Sequence, residues 1–408
     1  MAKNRKATFK VPPSSATDLS ESQELRRRKA LEEQKRKRAQ KVDSARQLDL
    51  FADLNLGESD DEDATRHGNS DVPKHRKKKA RKQKSKKETQ AGSSKWADQC
   101  MYAELLEMSA DDPWSAGADG LPEDLETGWV AVAPVPVGKR CLAVTDQSLG
   151  VPGLVSNTSL RSRKLGKLLM PRFPSTLPPL TILDCILDDN WRTNGILHVL
   201  DVVKWKGQDI GDCETPFRFW WRDTRLEELP VSLPPSHSAD RTAPGGSATH
   251  AKTYRFPYPT KFLPIPYHTD TSLSTLASRI VPLARTSRSV DVDVPVSHHG
   301  AEPGESGMEV DQQNEPVAVF STHNAEIVAD GLLLYVSEAS YEAGTSPLSS
   351  WIPKATYGES RPTDGMTDSS AGFVSCSSLI FYHRLIQKRI ARKQNSGYHS
   401  SVQMETET

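Results

Sequence analysis

The apolar positions of this chain crowd into one stretch, residues 181–223, and thin out on both sides of it. Residues 181–187 are β-branched and apolar and close on Asp188, Asp189 and Asn190, while residues 196–205 form a second such run opened by Asn194-Gly195. Together they predict a hairpin with a polar connection. Residues 217–222, aromatic and downstream of the turn signal Lys206-Gly207, predict a third strand, with Trp205, Trp220 and Trp221 in the core. A meander this rich in Val, Ile, Leu, Phe and Trp has to bury a face. Further strands are predicted at 129–133 and 141–144, joined by the tight connection 134–140, and at 329–336 behind a Gly turn.

Helical spacing appears at three other places. Residues 96–108 place Met101, Leu105 and Met108 along one side, and 379–394 place Leu379, Tyr382, Leu385, Ile386 and Ile390 along one side of a basic helix. In the latter, the apolar side fits docking on the domain, with a partner-binding tail as the alternative. Ser20 and Gln23 form a capping box, and the following 25 residues lack Gly and Pro, which predicts a helix over 21–48. Its apolar residues, Leu25, Leu31, Val42, Ala45 and Leu48, are too few to anchor it on a core, so it is expected to stand alone until an acidic partner orders it.

Composition limits how much of the chain folds. With 28 Pro, 24 Gly and 36% hydrophobic residues among 408, one domain plus disorder is expected. The organisation read from the sequence is a disordered N-terminus (1–19), the basic helix (20–50), a disordered acidic and basic linker (51–95), an α+β domain (96–355) and a mostly disordered tail (356–408). Polar runs at about 230–252 and 290–316 are expected to loop out of the domain as disordered insertions. The formal charge of zero hides an asymmetry, because residues 1–100 hold 26 Lys and Arg against 16 Asp and Glu and the rest hold 27 against 37. A basic arm ahead of an acidic body points to an acidic partner, nucleic acid or protein. The run 74–87 (KHRKKKARKQKSKK) reads as a solvated linker, with a second nuclear-localisation signal or a phosphate-binding tract as the alternatives.

Five widely spaced cysteines argue against a disulfide framework and a structural zinc site and fit a reducing compartment. No apolar run approaches the roughly 18 residues needed to span a bilayer, and MAKNRKATFK has no apolar signal core, so a soluble intracellular protein with no membrane contact is expected. The nucleotide-binding loops, zincin and hydrolase motifs are missing, and His198 reads as structural. No catalytic residue, metal or cofactor is assigned. Asp330–Tyr335 is like the strand motif of RNA-capping guanylyltransferases and ligases, yet no K-x-D-G occurs to supply their nucleophilic lysine. The rival readings are a nucleotidyltransferase that lost or moved that lysine and a general RNA-binding protein with a basic arm.

The basic helix has a more specific likeness. Its R-R-R-K, L-E-E-Q-K-R-K-R and A-R-Q-L segments resemble the importin-beta-binding domain of nuclear-import adaptors. That resemblance assigns importin-beta contacts to Arg26, Arg27, Arg28, Lys29, Lys35, Arg36, Lys37, Arg38, Lys41 and Arg46. The body resembles the snurportin family, the import adaptors of spliceosomal small nuclear ribonucleoproteins (snRNPs). The residues carrying it include Val137-Gly-Lys-Arg140, Thr181–Ile186, Val199-Leu-Asp-Val202, Phe217-Arg-Phe219 with Trp221, Asp330-Gly-Leu-Leu333 and Ser346-Pro-Leu348 with Trp351.

The resemblance implies a largely antiparallel β-sheet domain related to the mRNA guanylyltransferase nucleotide-binding fold. It implies a shuttling protein of cytoplasm and nucleus that binds the 2,2,7-trimethylguanosine cap of small nuclear RNA and links it to importin beta, with an exportin contact at the apolar start of the family. Here that start has few apolar residues. By resemblance Trp351 stacks on the cap and Arg140, next to Lys139, contacts it. The family's serine and second tryptophan align with Ala103 and Leu105, with Trp114 nearby in an inserted loop. Arg161, Lys164 and Lys167 are candidates for the cap phosphates. A trimethylated guanine is flat and cationic, so an indole offers it stacking and cation–π attraction worth about 1–2 kcal/mol.

Overall fold

A computed structural model describes residues 22–55, 94–109, 119–146, 156–235, 254–295, 319–355 and 377–404. Two sheets pack face to face. The first has the strand order β1-β14-β13-β2-β10, made of β1 (Met101–Leu105), β2 (Trp129–Pro136), β10 (Tyr267–His268), β13 (Ala329–Val336) and β14 (Gly344–Pro353). The second has the order β5-β4-β3-β6-β7-β8, with β9 paired parallel to β7. Its members are β3 (Gly138–Thr145), β4 (Ser156–Ser162), β5 (Phe173–Ser175), β6 (Ile182–Asp188), β7 (Ile196–Trp205), β8 (Gln208–Asp209) and β9 (Lys261–Pro264). Apart from β1 with β14 and β7 with β9, the ladders are antiparallel. The α+β, mostly antiparallel architecture is the one the sequence predicts.

The hairpin β6–β7 follows its predicted bounds closely, because both runs are buried nearly end to end. Its connection is a single helical turn, α2 (Trp191–Asn194), which stops at Gly195 in the left-handed region (φ +63°). A Cβ there would fall 2.5 Å from the Phe256 ring, so glycine is required on both counts.

Residues 217–222 are not a strand. They lie within α3 (Thr215–Glu227), which buries Thr215, Arg218, Phe219, Arg222 and Leu226 at helical spacing. Arg218 lies bidentate on the buried Asp201 of β7 at 3.1 and 3.0 Å and donates to the carbonyls of Cys213 and Ala339. Arg222 donates to the carbonyls of Leu200 and Ile265. Two arginines thus occupy core positions, and the helical stripe reads as polar in the sequence. Trp205 is buried, whereas Trp220 is 49% exposed instead of in the core. The predicted helix at 96–108 is also corrected: residues 95–98 turn and β1 follows. The parallel ladder to β14 supplies its hydrogen bonds, a non-local term that helical spacing cannot see.

Two further differences concern insertions and helices. Val290–Pro295, placed in a polar insertion, belongs to β11 (Arg288–Pro295), which pairs in full with β12 (Phe320–Ile327). Val292 and Ile327 bury against Ile196 and Phe256, so every second residue does core work. Residues 254–280, whose Phe256, Tyr258 and Phe262 read in the sequence as a strand ahead of a short helix, contain β9 and β10 followed by α4 (Leu273–Thr275) and a π turn (Leu276–Ile280), with α5 (Val281–Leu283) after them. The tail helix, α6 (Ser378–Met404), docks on the first sheet's outer face through Leu379, Tyr382, Leu385 and Ile386, all buried.

The N-terminal helix, α1 (Gln23–Asn55), does not stand alone. It lies along that same outer face, and the residues it buries most deeply are polar, Gln23, Arg27 and Gln34, with Ala30 and Leu31 packed against the core between them. The expectation of isolation assumed that docking needs a full apolar stripe; hydrogen-bonding side chains flanking Ala30 and Leu31 perform it instead.

Candidate functional site

The parallel edge of the first sheet brings two predicted site residues together. Leu105 lies beside Trp351 in register, Ala103 lies opposite Ser346, and the ladder slips between Ala103 and Glu104. The Leu106 amide continues it by donating to the Trp351 carbonyl at 3.1 Å. Because Trp351 pairs with Leu333, side-chain alternation puts it on the inner face with Tyr335, whose ring meets Phe219 of α3 edge-on at 5.5 Å. A Cβ at Gly331 would fall 2.7 Å from Trp351 Cη2 and 2.3 Å from the Ile352 carbonyl oxygen. Glycine at this position of β13 is what lets the indole lie against the strand. The ring is half-buried and Leu105 is 39% exposed, so an apolar ledge remains open to solvent at the sheet edge. Trp114 lies outside the described residues.

Arg140 lies elsewhere in the site than a free cation would. From β3 it crosses to the other sheet, donating through Nε (2.6 Å) and Nη2 (2.8 Å) to Asp184 and through Nη2 (3.2 Å) to the Met101 carbonyl of β1. The Tyr341 hydroxyl donates to the same carboxylate (2.7 Å) and accepts from the Met101 amide (2.9 Å). Burial opposes the charge, but Asp184 holds the Arg140 guanidinium well above its ordinary pKa, and burial together with Asp184 pushes the Tyr341 phenol well up. This buried fork is a clamp that fixes β1, and with it Leu105, between the sheets. Asp184 and Tyr341 carry no sequence signal for that role, since 157 residues separate them. Lys139, by contrast, is exposed at the start of β3.

The phosphate candidates gather on the turn after β4. Arg161 is half-buried within β4, and Lys164 and Lys167 are exposed. The turn is closed by the Ser162 amide on the Lys167 carbonyl (2.7 Å) and is tied to β1, because Tyr102 and the Asp98 amide both donate to the Arg163 carbonyl at 3.1 Å. The Arg163 guanidinium sits 4.8 Å from the Tyr102 ring centre. Three residues of strand, about 10 Å, separate Tyr102 from Leu105.

The import-type residues on α1 divide into two groups. Arg26 pairs with Glu104 (3.0 Å) and Glu107 (2.9 Å), Lys35 with Glu338 (2.5 Å), and Lys41 with Asp212. Arg38 donates to the Glu338 carbonyl (3.0 Å), and Gln34 exchanges hydrogen bonds with the backbone of Ser340. Arg27 is buried 5.2 Å from the Trp129 ring centre, where burial lowers its pKa. Arg28, Lys29 and Arg36 are exposed; Lys37 and Arg46 pair within the helix with Glu33 and Asp43. Gln23 reaches the strand that forms the ledge, donating to the Leu105 carbonyl (3.0 Å) and accepting from the Glu107 amide (3.2 Å).

His198 is fully buried against Asp188 at 2.9 Å, and burial lowers its pKa, as fits a structural residue. Among the described residues no group of His, Cys, Asp or Glu could hold a metal ion, and no helix is long and apolar enough to cross a membrane.

Two family models match the chain. Residues 5–47 match Snurportin1, and residues 115–238 match the Snurportin1 m3G cap-binding domain. The second match takes in β2 to β8 and α3, and so includes Arg140 and the basic turn; Leu105 and Trp351 lie outside both.

Proposed function

This chain belongs to the snurportin family, and we propose that it holds the m3G cap on the Trp351–Leu105 ledge and presents α1 to importin beta. It is an m3G cap-binding adaptor for snRNP import, with importin-beta binding implied by the family of its N-terminal segment. Shuttling between cytoplasm and nucleus follows from such work.

The observation that carries the ledge assignment is the indole laid over Gly331 at an open sheet edge. A cationic purine set on that indole gains stacking and cation–π attraction. Its triphosphate bridge then runs toward Lys164 and Lys167, about one short strand away. Arg140 acts through Asp184 and Met101, positioning β1 rather than meeting the ligand. No catalysis is assigned, because Val328 stands where a K-x-D-G motif has its lysine. A covalent adduct after incubation with labelled GTP would overturn that.

The test is competition binding with trimethyl, monomethyl and unmethylated cap dinucleotides. Trp351→Ala should weaken trimethyl-cap binding by about 5- to 30-fold, the equivalent of about 1–2 kcal/mol. Leu105→Trp should tighten it by enclosing the base between two indoles. Equal affinity for all three dinucleotides, or an unchanged Trp351→Ala variant, would refute the assignment.

A further inference from the structure

α6 does more than close the outer face. Residues 378–395 contain Arg384, Lys388, Arg389, Arg392 and Lys393 and no Asp or Glu, within a body whose residues 101–408 carry 27 cations against 37 carboxylates. Two of the five are spent on docking. Arg389 lies bidentate on Asp119 (2.7 and 2.6 Å) and donates to the carbonyls of Pro122 and Leu121, and Lys393 pairs with Glu126. The other three, Arg384, Lys388 and Arg392, follow one another at i, i+4 and i+8, about 6 Å apart. Arg384 and Lys388 are exposed, and none of the three forms an ion pair among the described residues. The helix starts beside the ledge: the Ser377 hydroxyl donates to the carbonyl of Lys354, three residues past Trp351 at the end of β14.

We propose that the outward face of α6 is a phosphate track for RNA, taking the sugar–phosphate chain that follows the cap without reading its sequence. The inference rests on the cap reading: the start of α6 is tied to Lys354, three residues past Trp351, so an RNA held by its cap on Trp351 has its phosphates within reach of that face. Ile380, 37% exposed, opens the same stripe one turn before Arg384, and beyond it a line of cations with no interleaved carboxylate suits a polyanion better than a peptide groove.

The experiment uses the full chain and measures anisotropy of an m3G-capped single-stranded oligoribonucleotide, the same oligonucleotide uncapped, and an m3G cap dinucleotide. Arg384→Gln with Lys388→Gln should leave the dinucleotide affinity unchanged. It should weaken the capped oligonucleotide by about 5- to 10-fold near 0.1 M salt and flatten its log K against log salt slope by about 1.4, or 0.7 for each lost phosphate contact. Arg384→Lys with Lys388→Arg should restore both, which separates charge from helix damage. Unchanged oligonucleotide affinity and slope would overturn the track, as would an equal loss on the dinucleotide. Equal binding of capped and uncapped RNA, with the α6 loss intact, would instead sink the cap ledge and leave the track standing. Anionic phospholipid vesicles that bind with the same α6 dependence and outcompete the oligonucleotide would assign the face to lipid and overturn the RNA proposal.

Discussion

α1 and α6 are both long basic helices on the outer face of one sheet, held there by opposite means. α6 buries Leu379, Tyr382, Leu385 and Ile386 in the main core, so removing it exposes hydrocarbon to water. α1 sets Ala30 and Leu31 against that core only partly buried; otherwise it buries Gln23, Arg27 and Gln34 and relies on carboxylates at Glu104, Glu107, Glu338 and Asp212. Most of those ion pairs are partly exposed, and each is worth at most about 1 kcal/mol. Leaving costs α1 little, because its polar groups regain water or meet the carboxylates of a receptor. The contrast separates a helix that is part of the domain from one that is stored on it.

The largest effect is expected where α6 meets the core. Tyr382→Ala should remove about 3–5 kcal/mol of stability, read as a lower urea midpoint, whereas Arg27→Ala on α1 should leave that midpoint almost unmoved. Next comes release of the stored helix. Glu104→Lys with Glu338→Lys should tighten importin-beta binding by about tenfold in calorimetry, and a weaker interaction would show that α1 is not held back by the domain. Salt makes the same comparison without a mutation. Between 0.1 and 0.5 M NaCl, hydrogen exchange should speed up across residues 23–41 and stay constant across 379–390.

The smallest effect is a pH dependence that neither helix sets. The folded pKa of His198 is lowered from an ordinary 6.5, chiefly by burial. Below pH 6.5 the unfolded chain therefore binds the proton more readily, and stability falls as the pH drops toward the folded value. His198→Asn should flatten that stretch of the stability–pH curve while Asp188 keeps its bonds to Asn194 and the Asn190 amide.

What the sequence disclosed follows the same line between apolar and polar contacts. β6, β7 and β13 were legible because their buried residues are hydrocarbon, and the docking face of α6 for the same reason. α3 was misread because Arg218 and Arg222 occupy its inner stripe, neutralised by Asp201 and backbone carbonyls that no local pattern reveals. β1 was misread because its partner lies more than two hundred residues later. At the site, Trp351 and Leu105 could be named from family likeness, yet the floor beneath the indole depends on Gly331, whose motif had suggested nucleotidyl transfer. Arg140 was named too, but its engagement with Asp184 requires the β3–β6 register.

Gln23 holds the backbone on either side of Leu106, and Leu106 itself bonds to Trp351. The first turn of α1 and the floor of the ledge are therefore two occupants of one short peptide segment, so what either does to the other's affinity must be returned in equal measure. A cargo that tightens residues 104–107 around the indole and so strains the Gln23 bonds would also lower the threshold for the receptor to take the helix. An adaptor built this way needs no separate sensor to distinguish its loaded from its empty form.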